Sequence, residues 1–447
     1  MKFILYLVFI SLPLVPVFGQ STYTLSECID EALKNAYTIR EQQIDNQLNT
    51  LKLNVNASKY RPQINANLTY INYPWDFPVY FFPAEEGSIL SGEAANGTYR
   101  VGLGLTHNYS LGIYLQQTVF DADFFMAKKS SELTAKTNEL LTKQAEEEVI
   151  YSVTKVFLEI MRVMEKEKMI NDNQHRVEDA LKIVRIRVEN EMAYETDAEE
   201  LELQKRVVET KKAMAVSGIE KQLDYLKFLM GKEVGEDVAI KSDTINFTVA
   251  LNDSIFQQQG YNSQLIEQDI KAGEIQALAI KNQKLPELKA FANLMAMSQA
   301  EVFSPFSAEQ YWYNPSTVGL TFQIPIMHGT RYNKEMRYQQ MENEKKMLRK
   351  QMNDQYFKMA IENAKSDLEL KQLELEEKRL NLELRKKVHR RKMDMFGNEL
   401  IGISEVMETT SAITVAGNEY ADTYFDYLLV QLEILKTTGM LKNILLN

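Results

Sequence analysis

The chain has 447 residues, 45% hydrophobic and 25% charged, with 62 acidic against 51 basic side chains and a formal net charge of −11. That acidic balance argues against a general nucleic-acid binder, and a single cysteine, Cys28, excludes an internal disulfide. His107, His175, His328 and His389 lack metal-ligand spacing, and neither a phosphate loop nor a nucleophile elbow occurs, so no enzyme, metal or cofactor signature is present.

The start reads as a secretory leader. Lys2 precedes an apolar run from residue 3 to 18 that Pro13 and Pro16 interrupt, and small Gly19 stands before Gln20. Cleavage after Gly19 removes Lys2 and moves the net charge to −12. Charged Glu27 before Cys28 disfavours a lipid anchor there, and no later apolar stretch is long enough to cross a bilayer as a helix.

Proline and glycine placement divides the rest. Prolines stand at 62, 74, 78 and 83, then at 286, 305, 315 and 325, and no glycine lies between Gly112 and Gly218. Two long helical regions therefore alternate with two short strand-forming ones. The halves also match in spacing. Tyr37 precedes Pro62 by 25 residues, as Tyr261 precedes Pro286. Residues 112–123 align without a gap to 319–330, and Asp197 precedes Gly231 by 34 residues, as Glu405 precedes Gly439. This is a duplication: leader 1–19, first repeat 20–231, linker 232–252 and second repeat 253–447.

Each repeat reads helix, strand, strand, long helix, returning helix. The opening helix is expected from about 26 to 60, with Thr24 or Ser26 as cap, Glu27 and Glu31 near its positive end, and Pro62 as its stop. Ile64, Ala66, Leu68 and Tyr70 then alternate with Gln63, Asn65, Asn67 and Thr69. The returning strand sets Leu111, Ile113, Leu115 and Val119 against Ser110, Gly112, Gln116 and Thr118. In the second repeat Val318, Leu320, Phe322, Ile324 and Ile326 alternate with Thr317, Gly319, Thr321 and Gln323. Such strands suit a transmembrane barrel with a wet lumen or a water-soluble sandwich. The loops carry Trp75, Phe77, Tyr80, Phe81 and Phe82, then Phe303, Phe306, Tyr311, Trp312 and Tyr313. These fit a membrane-surface girdle and equally fit loop anchors.

The long helices are expected over 123–194 and 330–398, roughly 108 Å for 72 residues at 1.5 Å rise. The returning helix, 197–231, carries two seams, Ala198–Leu201–Val208 and Leu203–Val207–Met214, as a stave with neighbours on both sides would. Four strands cannot close a barrel, and lipid does not tolerate open sheet edges, so copies must combine. Two would give eight strands and three twelve; a hollow tube of helices leans towards three.

Taken together the pattern resembles the TolC family of outer-membrane efflux proteins, over essentially the whole mature chain. The resemblance rests on residues 25–35 (LSECIDEALKN), the Pro62 and Pro286 strand entries, residues 324–329 (IPIMHG) and residues 422–428 (DTYFDYL). It implies a mainly α fold with a small β part. Four strands per chain would build a trimeric twelve-stranded barrel in outer-membrane lipid, continued by a periplasmic α-helical barrel with an equatorial region near 232–251. It also implies the exit duct of a tripartite efflux or secretion system in a Gram-negative bacterium, served by a periplasmic adaptor and an inner-membrane transporter. A periplasmic coiled-coil scaffold is the competing reading.

The resemblance places a gate at the helical tips, where Glu405 and Glu408 stand in place of the usual aspartates and Thr196 and Asp197 occupy the corresponding turn. Adaptor contact is expected at Phe396, Gly397 and Asn398, and at Glu191 and Met192, with Glu191 where glycine is usual. The spacing from Gly397 to Glu405 is one residue longer than the family's. Three copies of both glutamates would crowd six carboxylates round an axis. Two charges roughly 8 Å apart repel by about 2 kcal/mol at an effective dielectric of 20. Such a ring attracts cations and disfavours anions. The plainer alternative is that these acids only solvate a helix start and favour its dipole.

Overall fold

A computed structural model describes residues 21–74, 79–83, 98–102, 104–233, 235–241, 260–305, 307, 309–327 and 329–442. The expected leader, linker residues 242–252, Trp75, Phe77 and Phe306, and the side chains of Tyr80, Phe81 and Phe82 lie outside the described residues.

In chain order the elements are β1 (Ser21–Tyr23), α1 (Leu25–Asn35), α2 (Tyr37–Ser58), β2 (Gln63–Asn72), β3 (Val79–Pro83), β4 (Thr98–Gly102), β5 (His107–Phe120), α3 (Asp123–Glu189) and α4 (Glu195–Leu229). There follow β6 (Val238–Ile240), α5 (Tyr261–Asn282), β7 (Glu287–Ala300), β8 (Trp312–Tyr313), β9 (Thr317–Gln323), α6 (Arg331–Gly397) and α7 (Ile403–Thr438). The duplication is plain in the lengths: α2 and α5 have 22 residues each, α3 and α6 have 67 each, and α4 and α7 have 35 and 36. Among the described residues no helix is long and apolar enough to cross a membrane.

Four boundaries differ from expectation. The opening helix is two helices, because Ala36 takes an extended ψ of 136°. The break lets α1 contribute Cys28, Ile29 and Ala32, and the start of α2 contribute Ile39, to one core. Strand β9 stops at Gln323, so Ile324 and Ile326 lie beyond it; Pro325 has no N–H with which to continue the ladder. Helix α3 ends at Glu189, short of 194, and α4 begins at Glu195, before Asp197. The small pairs β1–β6, parallel, and β3–β4, antiparallel, had no counterpart in the pattern of residues.

The chain forms two compact units. One consists of Gln47–Lys136 and Asp269–Lys346 and holds the main sheet, ordered β2–β5–β7–β9, with β8 also on β7. Paired residues of an antiparallel ladder share a face. The pairs Ile64–Leu115, Ala66–Ile113, Leu68–Leu111, Ile113–Leu294, Ala292–Val318, Ala290–Leu320 and Leu288–Phe322 make one face apolar across all four long strands. Gln63–Gln116, Asn67–Gly112, Asn293–Thr317 and Glu287–Gln323 lie on the other. The Phe291 ring lies over Gly319, where an added Cβ would come to 2.7 Å from it. Away from buried Tyr109 at the loop end, the apolar face is largely uncovered among the described residues: Leu68 is 78% exposed, Val318 81% and Leu320 70%. Among the described residues both edges are open as well, since β2 pairs only with β5 and β9 only with β7.

Aromatic clusters mark the two ends of this sheet. At the loop end Tyr70 stacks on Tyr109 at 5.3 Å and meets Phe303 edge-on at 5.5 Å, and the Tyr109 hydroxyl accepts from the Ser304 N–H at 3.2 Å. At the helix end Tyr60 meets Phe124 at 5.1 Å, next to exposed Phe125 and Phe120.

The other unit holds residues up to Asn46, Thr137–Gln268 and those from Met347. Its main core joins Ile29 of α1, Ile150, Val153 and Phe157 of α3, and Leu432 and Leu435 of α7. Cross-helix pairs fix the neighbours. Lys205 and Glu178 tie α4 to α3 at 3.7 Å, and Arg162–Asp426 and Lys166–Asp422 tie α3 to α7 at 2.8 and 2.6 Å. Lys371–Asp426 and Lys378–Glu419 tie α7 to α6 at 3.7 and 3.3 Å. These ion pairs set α4, α3, α7 and α6 side by side in that order.

Candidate functional site

The two inter-helical turns, 190–194 and 398–402, close hairpins of the same backbone design. In the first, the Met192 N–H donates to the Arg187 carbonyl at 2.7 Å and the Glu191 N–H to Val188 at 2.9 Å. In the second, Leu400 donates to Met395 at 2.9 Å and Glu399 to Phe396 at 3.1 Å. This is the paired bonding of a helix end whose next residue turns left-handed. Glu191 and Glu399 take that conformation, with φ of 59° and 61°.

The register of the tip is corrected by this geometry. Glu399 is the counterpart of Glu191, each six residues before the acid at the third position of its returning helix, Asp197 or Glu405. Gly397 is instead the last residue of α6, and a Cβ added there would meet nothing within 4 Å.

Under the turns lies a second core, with Val177, Leu181 and Val184 of α3, Ala198 and Leu201 of α4, Phe396 of α6, and Ile403, Val406 and Met407 of α7. Phe396 is 3% exposed, which corrects its expected place on a docking surface. Its carbonyl accepts from Arg187 Nη2 at 2.9 Å, and the guanidinium lies 4.2 Å from its ring centre, so one arginine clasps both hairpins. Met192, Gly397 and Asn398 are exposed, and Asn398 Nδ2 donates to the Asp394 carbonyl at 2.8 Å.

The acids sit differently in the two hairpins. Asp197 turns back to its own helix start and accepts from the Tyr194 N–H at 3.2 Å, while Thr196 beside it is exposed. Glu405 reaches across to α6 and pairs with Lys392. Glu408, one turn further along, is exposed and has no ion pair or hydrogen bond among the described residues. Glu405, Glu408 and Val415 share the exposed face of α7, whereas Val406, Thr410 and Ile413 form its buried face. One level further along, His389 Nδ1 and Thr409 Oγ1 lie 3.0 Å apart. Burial, and then the Arg176 guanidinium, hold this imidazole below its ordinary pKa.

A feature missed in the sequence reading stands on the outer part of α6. Residues 385–392 (RKKVHRRK) carry six lysines and arginines in an acidic chain. Lys386, Lys387, Arg390 and Arg391 are exposed and have no ion pair among the described residues. The run was legible as a charge block. Among the described residues no group of three or more His, Cys, Asp or Glu side chains stands close enough to hold a metal.

No family model matches the chain, and no curated protein matches it. Solved structures do. The Campylobacter jejuni CmeC outer membrane channel aligns over 93% of this chain and 86% of its own, with a TM-score of 0.70 at 13% identity. The outer membrane protein VceC of Vibrio cholerae gives 0.67 at 10% identity over 93% and 96%. The open state of the Neisseria gonorrhoeae MtrE outer membrane channel gives 0.68 at 13% over 93% and 88%. The chain has the fold of these outer-membrane channels.

Proposed function

We propose that the chain is a TolC-family exit duct of the outer membrane. Three copies would close the four-stranded sheets into a twelve-stranded barrel, and the helices would form a periplasmic tube that meets an adaptor and an inner-membrane transporter at its tip. The observation that carries this reading is the main sheet, with one uncovered apolar face, one polar face and two open edges. In water that face would cost about 25 cal/mol for each Å² left exposed, and open edges invite aggregation. Lipid on the apolar face and further copies at the edges remove both problems. The aromatic clusters at the two ends of the sheet stand where interfacial girdles stand in such barrels.

In this reading the chain performs no chemistry. It provides a passive path, and the exposed face of α7 carries the acids that narrow it to cations. Adaptor contact would fall on Met192, Gly397, Asn398 and the two left-handed glutamates, all exposed at the turns. Fractionation tests the proposal. The protein should resist carbonate washing of membranes, need detergent for release, and run as a trimer on gels until boiled. A chain that washes off as a soluble species would be a periplasmic scaffold, and the duct reading would fall.

A further inference from the structure

Close to the tip, three helices of one chain meet at a histidine to which the duct reading gives no role. His389 of α6 is half-buried, and its Nδ1 lies 3.0 Å from the Thr409 hydroxyl of α7. That hydroxyl donates its one proton to the Val406 carbonyl at 2.8 Å, so it can only accept from the imidazole. Nδ1 therefore carries the ring's proton, and Nε2 is the nitrogen left to take a second one. From α3 the cation near the ring is Arg176, whose Nε is buried with no hydrogen-bond partner among the described residues. Asp172, one turn back on α3, is the carboxylate beside that guanidinium. Along α7 the carboxylates nearest to Thr409 are Glu405, which Lys392 holds, and Glu408, which is exposed. On α6 itself Arg385, Lys386 and Lys392 stand one turn from His389. After burial, the Arg176 charge is what holds the imidazole below its ordinary 6.5.

We propose that His389 is a proton-operated latch at the tip: neutral, it lets α6 and α7 close on α3, and protonated, it repels Arg176 and loosens the α6–α7 hairpin there. This rests on the duct reading and adds a regulation to it, by the acidity of the fluid around the helices. The latch borders the second core, since Arg176 immediately precedes fully buried Val177 and Thr409 follows buried Met407 by two residues. The unfolded chain takes up the imidazole proton at an ordinary pH, and the folded chain takes it up lower. The closed packing is therefore at full strength above about 6.5 and weakens as pH falls below that value. A second like charge is costly in a half-buried site, where water screens it poorly. Protonation at Nε2 leaves the bond from Nδ1 to Thr409 in place, so α6 and α7 stay joined and loosen from α3 together. The Arg162–Asp426 and Lys166–Asp422 pairs, farther from the turns, keep α7 on α3 and confine the loosening to the tip.

Mean current through the full-length protein in planar bilayers, at one voltage and at pH 7.5 and pH 5, tests the latch. The parent should pass severalfold more current at pH 5. His389→Gln keeps an amide donor for Thr409 but takes up no proton, so it should show no such rise. Arg176→Gln should show none either, because nothing is left for the imidazolium to repel. A rise that persists in His389→Gln would refute the latch. So would a rise that disappears only with Glu405→Ala and Glu408→Ala, since the tip acids would then be the sensor. Hydrogen exchange at the imidazole C2 position, followed by mass spectrometry, gives a second readout that needs no variant. His389 should titrate lower in the folded protein than after unfolding in urea, and Arg176→Gln should narrow that gap. Equal midpoints in the folded and unfolded parent overturn the proposal. A conducting protein with no acid response overturns the latch alone, whereas a folded trimer that carries no current at any pH overturns the duct reading and the latch with it.

Discussion

At the residue scale, two positions carry a cost that their surroundings maintain. Glu191 and Glu399 hold a left-handed backbone that disfavours any side chain with a Cβ, at roughly 1 kcal/mol each relative to glycine. Glu191→Gly or Glu399→Gly should therefore raise the unfolding midpoint by a measurable step, and a lowered midpoint would show that these carboxylates make stabilising contacts. Glu147 carries a different cost. It is buried on α3, and burial, against the opposing pull of Lys436 and a hydrogen bond from Leu441, raises its carboxyl to about 7, from the 4.5 of an exposed glutamate. Between those two values the folded chain holds a proton that the unfolded chain has released. Glu147 therefore costs stability as pH rises from about 4.5 to about 7. Glu147→Gln should be more stable than the parent at pH 7.5 and nearly equal to it at pH 4, as thermal unfolding at both values would show.

At the element scale, α7 is held on both sides. Asp422 and Asp426 receive Arg162 and Lys166 from α3, and Asp426 also receives Lys371 from α6, so one exposed face is left for the acids. With Glu405 paired to Lys392, Glu408 is the freer charge. In planar bilayers, Glu405→Ala with Glu408→Ala should weaken cation preference, and Lys392→Ala should strengthen it. Unchanged selectivity in both would reduce these acids to helix-start solvation.

The long helices were legible because proline, glycine and tyrosine spacing repeats at fixed intervals, and α3 and α6 begin within one residue of expectation. The break at Ala36 was not, since neither glycine nor proline marks it and packing around Ile29 and Ile39 decides it. Likewise, no residue type announces the left-handed glutamates, so the sequence pairs Gly397, and not Glu399, with Glu191. Phe396 shows the same limit. The resemblance carried it to the docking surface together with Gly397, whereas its ring is buried under the guanidinium of Arg187.

For the whole molecule, incompleteness is the main physical fact. Among the described residues the main sheet ends in open edges at β2 and β9. Among the described residues a single copy leaves ladder bonds unmade and much of an apolar sheet face exposed. In the proposed duct, further copies at the β2 and β9 edges would supply the missing ladder bonds.

Conductance of the purified full-length protein in a planar lipid bilayer tests that central claim most directly. The account predicts discrete, long-lived current steps with a preference for cations. Folded, detergent-extracted trimer that inserts and never passes current would contradict it.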